Sequence, residues 1–184
     1  AMVENCKKYK IALYINFIRR TDPAILALKS MLATGEVQKP FSGICWYSRG
    51  LYNTGSHFCD LFQFLLGKPK SWNFRKSIEN VHYSNDPQID FNLVFSAGEI
   101  EFKTVPNPTL FYNRFELIFE NGTISHQQNG DLHFAPVKTR ADTKDRCFIS
   151  KKYSVIMADM NMYQKHVYDN VFSAINKLNH SLAT

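Results

Sequence analysis

The chain has 184 residues, 45% hydrophobic and 21% charged, values that suit one globular domain and exclude a disordered chain, a collagen-like repeat or a coiled coil. Its net charge of +6 sits on scattered pairs such as Lys7-Lys8, Arg19-Arg20 and Lys151-Lys152, which argues for a mildly basic fold, or one attracting an anionic small molecule, and against a nucleic-acid partner. No apolar run approaches the roughly 18–20 residues of a membrane span. Ala1-Met2-Val3-Glu4-Asn5 lacks the apolar core of a signal peptide and reads as a cloning remnant, so the expected setting is the cytoplasm, with no membrane partner.

In chain order, the β-branched and aromatic run Ile11–Ile18 reads as a strand. Thr21-Asp22-Pro23 then supplies an N-cap and a first-turn proline. Ile25, Leu28, Met31 and Leu32 follow on one helical face, and Gly35 closes the helix. A second strand spans Phe41–Ser48. A second helix, about Thr54–Leu66, carries Phe58, Leu61, Phe62 and Leu65, and Gly67 with Pro69 ends it. After residue 70 come short β-rich segments: Ser71–Ile78, Ile89–Phe95, Glu99–Thr104, Leu110–Phe119, Gly122–Gln127 and Asp131–Ala135. Ala97-Gly98, Asn121-Gly122 and Asn129-Gly130 punctuate them as hairpin turns. Lys138–Lys152 reads as a charged loop, and Asn161–Leu178 as a closing helix with Tyr163, Val167, Val171, Ile175 and Leu178 aligned. The fold class is therefore α+β: one large, mostly antiparallel open sheet with helices on one face. Its uncovered face is expected to expose Phe91, Phe95, Phe102, Phe111 and Phe115 and so to favour a homo-oligomer.

The motifs that are missing matter as much. Cys6, Cys45, Cys59 and Cys147 form no CxxC pair and read as reduced, mostly buried thiols. Among His82, His126, His133, His166 and His180 none has ligand spacing, so no metal site is expected. Neither GxGxxG nor GxxxxGK[ST] occurs, and no cofactor is expected to bind this chain alone.

The one local constellation with chemistry is Tyr47-Ser-Arg-Gly-Leu-Tyr-Asn-Thr-Gly-Ser-His57-Phe-Cys-Asp60, which leaves a strand and enters a helix. With Asn53 or Thr54 as N-cap, His57 falls in the first turn. There the positive end of the helix dipole holds the imidazole neutral, ready to accept a proton. Asn53, four residues earlier, reaches the same locus. Asp60, if it faces His57, opposes the dipole, and Arg49 and Tyr52 stand at the strand exit to hold an anionic or hydroxylated ligand. The alternative at this stage is a histidine that only caps a helix.

These residues carry a resemblance. Asn16-Phe-Ile-Arg-Arg-Thr-Asp-Pro23, Leu28–Glu36, Tyr47–His57, Asp60-Leu61 and Phe64–Pro69 are similar, in order and spacing, to the C-terminal domain of the glucose–fructose oxidoreductase / inositol dehydrogenase (Gfo/Idh/MocA) family. The first 70 residues carry the specific match, and the rest agrees in pattern. The resemblance implies a dihydrodipicolinate-reductase-like sheet and a single domain, 1–184, serving substrate binding and dimerisation. It implies that a Rossmann domain, absent from this chain, binds NAD or NADP. The family's catalytic histidine falls on His57, and an aspartate common four residues before it is Asn53 here, which cannot ionise. The family's catalytic lysine precedes this chain, and Lys39-Pro40 is not its motif. The implied reaction is NAD(P)-dependent oxidation of a sugar, cyclitol or sugar nucleotide, with His57 and Asn53 as the catalytic pair and Arg49, Tyr52 and Asp60 holding substrate. The fragment alone is expected to be inactive. The alternative is a non-catalytic binding or assembly module on the same fold, since Asn53 lacks the carboxylate.

Overall fold

Strand alternation decides which side of this protein is covered. In β1 (Phe41–Tyr47) Phe41, Cys45 and Tyr47 are buried while Ser42 is exposed, the period-two pattern of a sheet with one face under helices. The computed structural model describes residues 2–78, 85–107, 109–140 and 143–183. Ahead of β1 come a short helix α1 (Met2–Lys8), a 3₁₀ turn at Ile18–Thr21 and helix α2 (Pro23–Thr34). A π-helical turn, Leu51–Gly55, runs into helix α3 (Ser56–Leu66). Then follow β2 (Ser71–Ile78), β3 (Gln88–Phe95), β4 (Gly98–Thr104), β5 (Arg114–Phe119), β6 (Gly122–His126), β7 (Leu132–Arg140), β8 (Thr143–Ile149), β9 (Ser154–Ile156) and helix α4 (Tyr163–Ile175).

Among the described residues these nine strands form one sheet, ordered β2-β3-β4-β1-β5-β6-β7-β8, with β9 added beside β7. Every pairing is antiparallel except β1 with β4, where the chain passes through α3 and a hairpin before returning beside β1. This is the expected α+β architecture. Ile25 and Leu28 of α2 and Phe58, Leu61 and Phe62 of α3 meet Phe91, Phe102, Phe115 and Leu117 in one continuous core. Phe62 lies edge-on to both Phe102 and Phe115, and Phe91 stacks on Phe102 at 4.4 Å.

Five expectations fail. Ile11–Ile18 is not a strand: it makes one bridge, Ile15 to Ala183, and Ile11 and Ile15 are exposed, so β propensity had no partner strand to act on. Lys138–Lys152 is not a loop: β7 continues to Arg140 and pairs with β8, showing that an edge hairpin tolerates charged residues. The aromatics assigned to the open face lie under the helices; Phe91, Phe95, Phe102 and Phe115 are buried and only Phe111 is exposed. The strand expected over Leu110–Phe119 starts at Arg114. In α4 only Val167 is buried, with Ile175 and Leu178 exposed, so the helix does not insert its whole stripe. The open face instead carries rows such as Glu101, Ile44 and Glu116, set side by side by strand register.

Candidate functional site

Two neighbouring arginines on the 3₁₀ turn meet different fates. Arg20 forks onto Asp60, with Nε to Oδ2 and Nη2 to Oδ1 both at 2.5 Å and both side chains mostly buried. Asp60 was expected at the substrate; both its oxygens are instead engaged in fastening α3 to this turn. The Arg19 side chain makes no hydrogen bond or ion pair among the described residues, and its guanidinium lies 4.5 Å from the centre of the Phe58 ring. The turn is held against α2 by Asp22, the N-cap, which accepts from Ala24 N at 2.9 Å and from Asp159 N at 3.1 Å.

The strand exit is locked from two sides. Ser48 N donates to Asn113 Oδ1 at 3.0 Å, and Tyr112 N donates to Ser48 Oγ at 3.2 Å, joining the end of β1 to the start of β5. Gly50 then turns with φ +92, where any Cβ would lie 2.2 Å from the Asp86 carboxyl carbon. Asp86 Oδ1 and Oδ2 accept from Tyr52 N at 2.7 Å and Asn53 N at 2.8 Å, capping the helical segment 34 and 33 residues away in sequence. The N-cap expectation is therefore corrected: the cap is neither Asn53 nor Thr54, and the helical run begins at Leu51 with a π-turn, a feature frequent at functional sites. Asp86 had no signal in the sequence, because it acts from a distant loop.

His57 consequently lies in the second turn, half-buried, edge-on to Phe17 at 5.2 Å. Its Nδ1 is enclosed and has no hydrogen-bond partner among the described residues, whereas Nε2 is not so enclosed. Burial pushes its pKa below the ordinary histidine value and Arg19 pushes it further, while Asp60 pulls back. The expected push toward the neutral imidazole therefore has a different cause: desolvation and a neighbouring guanidinium, not the helix dipole, which fades beyond the first turn. No hydrogen bond joins Asn53 to His57. The Asn53 backbone binds Asp86 and its side chain is exposed. Arg49, in a left-handed conformation (φ 69), lies over Phe111 at 5.5 Å, and Tyr52 is 68% exposed, so both are accessible from solvent. His57 and Arg19 share one electrostatic environment; Asn53, Arg49 and Tyr52 line the same strand exit without touching the imidazole. His82 lies outside the described residues.

Sequence reasoning missed Arg19 and His126. His126 is buried between Phe115, stacked at 4.8 Å, and Phe58, edge-on at 6.0 Å. Burial, then Arg19 and Arg114, push its pKa down to about 3. The doubled Arg19-Arg20 was the available signal, since two adjacent cations on one short turn cannot both be ordinary surface charges once Arg20 is buried. No cluster of metal ligands occurs among the described residues. Among the described residues no helix is long and apolar enough to cross a membrane. Cys45 and Cys59, pressed against the core, have thiol pKa values pushed up by burial, Cys59 to about 12, and all four cysteines are free.

Neither a protein-family model nor a curated protein sequence matches the chain. Solved structures do match in shape. An oxidoreductase from Agrobacterium radiobacter in complex with NAD+, L-tartaric acid and magnesium superposes over 98% of this chain at 16% identity with a TM-score of 0.63. An oxidoreductase from Thermotoga maritima does so over 98% at 15% identity and 0.67, and UDP-N-acetylglucosamine 3-dehydrogenase from Acidithiobacillus ferrooxidans over 95% at 14% and 0.65. The chain therefore shares its fold with a part of each of these three enzymes. This domain spans only 60%, 57% and 56% of those three chains. A nicotinamide dinucleotide does not fit the chain's own strand–turn–helix element: the N–H groups at the start of that helical run, which would cradle a pyrophosphate, are taken by the Asp86 carboxylate.

Proposed function

We propose that this oxidoreductase-fold domain is the substrate-binding part of an NAD(P)-dependent enzyme of the Gfo/Idh/MocA type, acting on a sugar, cyclitol or sugar nucleotide, with His57 as the proton acceptor. The observation that carries the reading is the His57 environment. A half-buried imidazole, kept neutral by burial and by Arg19, is in the protonation state needed to take the proton of a secondary alcohol. The nicotinamide would accept the hydride and be held by residues outside this chain, so the 184 residues alone are catalytically silent. Arg49 and Tyr52, exposed beside the site, are assigned to substrate, and Asn53 to its rim. Asp60 acts by positioning: it anchors α3, and thereby His57, to the arginine turn. The test is NAD(P)-linked turnover of sugars and cyclitols by the protein containing this chain together with a cofactor-binding domain. The expected result is a loss of about 10²–10⁴-fold in kcat for His57→Ala; wild-type turnover in that variant would sink the assignment.

One observation favours the second reading, a non-catalytic binding or assembly module: among the described residues no carboxylate or amide hydrogen-bonds His57 Nδ1 to orient the ring. Absence of any NAD(P)-linked turnover in the wild-type protein, with sugar binding retained, would select it. Under either reading the open face of the sheet is the surface for a second copy, with exposed Ile118 beside half-buried Ile44 and Trp46. Light scattering is expected to give a dimer at micromolar concentration that Ile118→Asp converts to a monomer; a wild-type monomer removes the proposal.

A further inference from the structure

A cavity of about 460 Å³ opens between the 3₁₀ turn, the β5 and β6 ends, and the segment 157–161. Arg19, Asn113, His126, Gln128 and Gly130 are in its wall. Three features of that wall lack an internal explanation. The Arg19 guanidinium has five N–H donors and, beyond its contact with the Phe58 ring, makes no hydrogen bond or ion pair among the described residues, although a charge so placed is costly unless paired. Of the carboxylates nearby, Asp131 and Asp159 are themselves in the cavity wall, and none of them, Asp22 included, pairs with it among the described residues. Asp22 accepts from Ala24 N and Asp159 N, Asp131 from Ala158 N and Asn129 Nδ2, and Asp159 Oδ2 meets His166 Nε2. Finally, two buried wall residues each keep one polar atom unpartnered, Nδ2 of Asn113 and Nδ1 of His126.

The chemistry of those atoms narrows the ligand. Asn113 Nδ2 can only donate. His126, pushed toward the neutral form by burial, keeps Nδ1 unpartnered. That nitrogen donates or accepts according to the tautomer, and a hydroxyl satisfies it either way. The wall thus offers a planar cationic fork, an amide donor and one unpartnered imidazole nitrogen. A neutral polyol satisfies the imidazole but leaves the guanidinium uncompensated; a simple fatty acid does the reverse. We propose that this cavity binds a small hydroxycarboxylate, its carboxylate on Arg19 and its hydroxyls toward the Asn113 amide and His126 at the cavity floor. The inference goes beyond the oxidoreductase reading and does not depend on it, since every residue involved belongs to this chain and the ligand needs no cofactor.

The test is calorimetric titration of the 184-residue chain with three probes: D-gluconate, D-glucitol, which replaces the carboxylate by CH₂OH, and hexanoate, which lacks the hydroxyls. Saturable binding of gluconate is expected, at least about tenfold tighter than either of the others. Arg19→Leu, which keeps the apolar stem on Phe58, is expected to abolish it. Asn113→Asp keeps the Oδ1 that holds Ser48, so it supplies the same test if Arg19→Leu fails to fold, and is expected to weaken gluconate at least about tenfold. Near-ultraviolet circular dichroism establishes that each variant is folded. The proposal is overturned if glucitol or hexanoate binds as tightly as gluconate, if a folded Arg19→Leu or Asn113→Asp protein retains wild-type affinity, or if the folded wild-type chain shows no saturable gluconate binding at tens of millimolar.

Discussion

Arg19 is the residue through which two histidines are tuned. Its guanidinium disfavours the imidazolium form of both His57 and His126, in each case adding to burial as the second cause. Histidine ring resonances followed by NMR against pH are therefore expected to place His57 below the ordinary value of 6.5, and Arg19→Leu is expected to raise it. A His57 titration unmoved by that substitution would refute the coupling. His126 makes a larger prediction, on stability. Its folded pKa, about 3, lies below the unfolded value of 6.5, so between those values the unfolded chain binds the extra proton. The stabilising contribution is complete above pH 6.5 and is lost as the pH falls toward 3. For His126 alone the loss between pH 8 and pH 5 is on the order of 2 kcal/mol. Urea unfolding is expected to show that decline in the wild type and a flatter profile in His126→Asn; equal slopes over this range would overturn it. At this scale the sequence disclosed His57 and its neutrality, but the cause was misassigned, because the helix start could not be located without Asp86. His126 was invisible because its burial comes from Phe115 on the paired strand β5 and from Phe58, on a helix far earlier in the chain.

At the scale of elements, the segment that presents His57 is made by a long-range cap. Two N–H donors of the π-turn end on Asp86, and Gly50 supplies the φ that lets the carboxylate approach. Asp86→Ala is expected to destabilise the chain by about 1 kcal/mol, the usual loss for an N-cap. Gly50→Ala is expected to cost more, since it adds left-handed strain to a collision with the Asp86 carboxyl group. Chemical denaturation of both variants checks the order, and Asp86→Ala proving the worse of the two would contradict this account of the turn. The contrast between α2 and the π-turn explains what was readable. Asp22-Pro23 through Gly35 is local chemistry, with cap, proline and left-handed stop all within 14 residues, and it folds as its spacing predicts. The same reading misses where the His57 helix begins, because the decisive partner is non-local. Ile11–Ile18 and Lys138–Lys152 fail in opposite directions for one reason: a strand exists only where another lies beside it, and propensity carries no information about that neighbour.

At the scale of the whole molecule, the sheet separates two kinds of surface. One face is filled by helices and aromatic side chains; the other is a mixed field in which Lys103 pairs with Glu101 at 2.9 Å. The basic excess is thus dispersed, and the Arg19 guanidinium, which makes no hydrogen bond or ion pair among the described residues, is at a cavity wall. That distribution bears on the cofactor. A dinucleotide brings a pyrophosphate, and among the described residues the helix start beside His57 is already neutralised by Asp86, so the chain lacks the array of free N–H donors that a pyrophosphate needs. Titrating the 184-residue chain into NADH is expected to leave the nicotinamide fluorescence unchanged into the millimolar range, while a chain joined to its cofactor-binding domain enhances it. Asp86→Ala frees the two N–H groups but supplies no glycine-rich loop, so it too is expected to give no signal. Saturable NADH binding by the wild-type chain would refute the division of labour proposed for this fold, since it would place cofactor and proton acceptor in the same 184 residues.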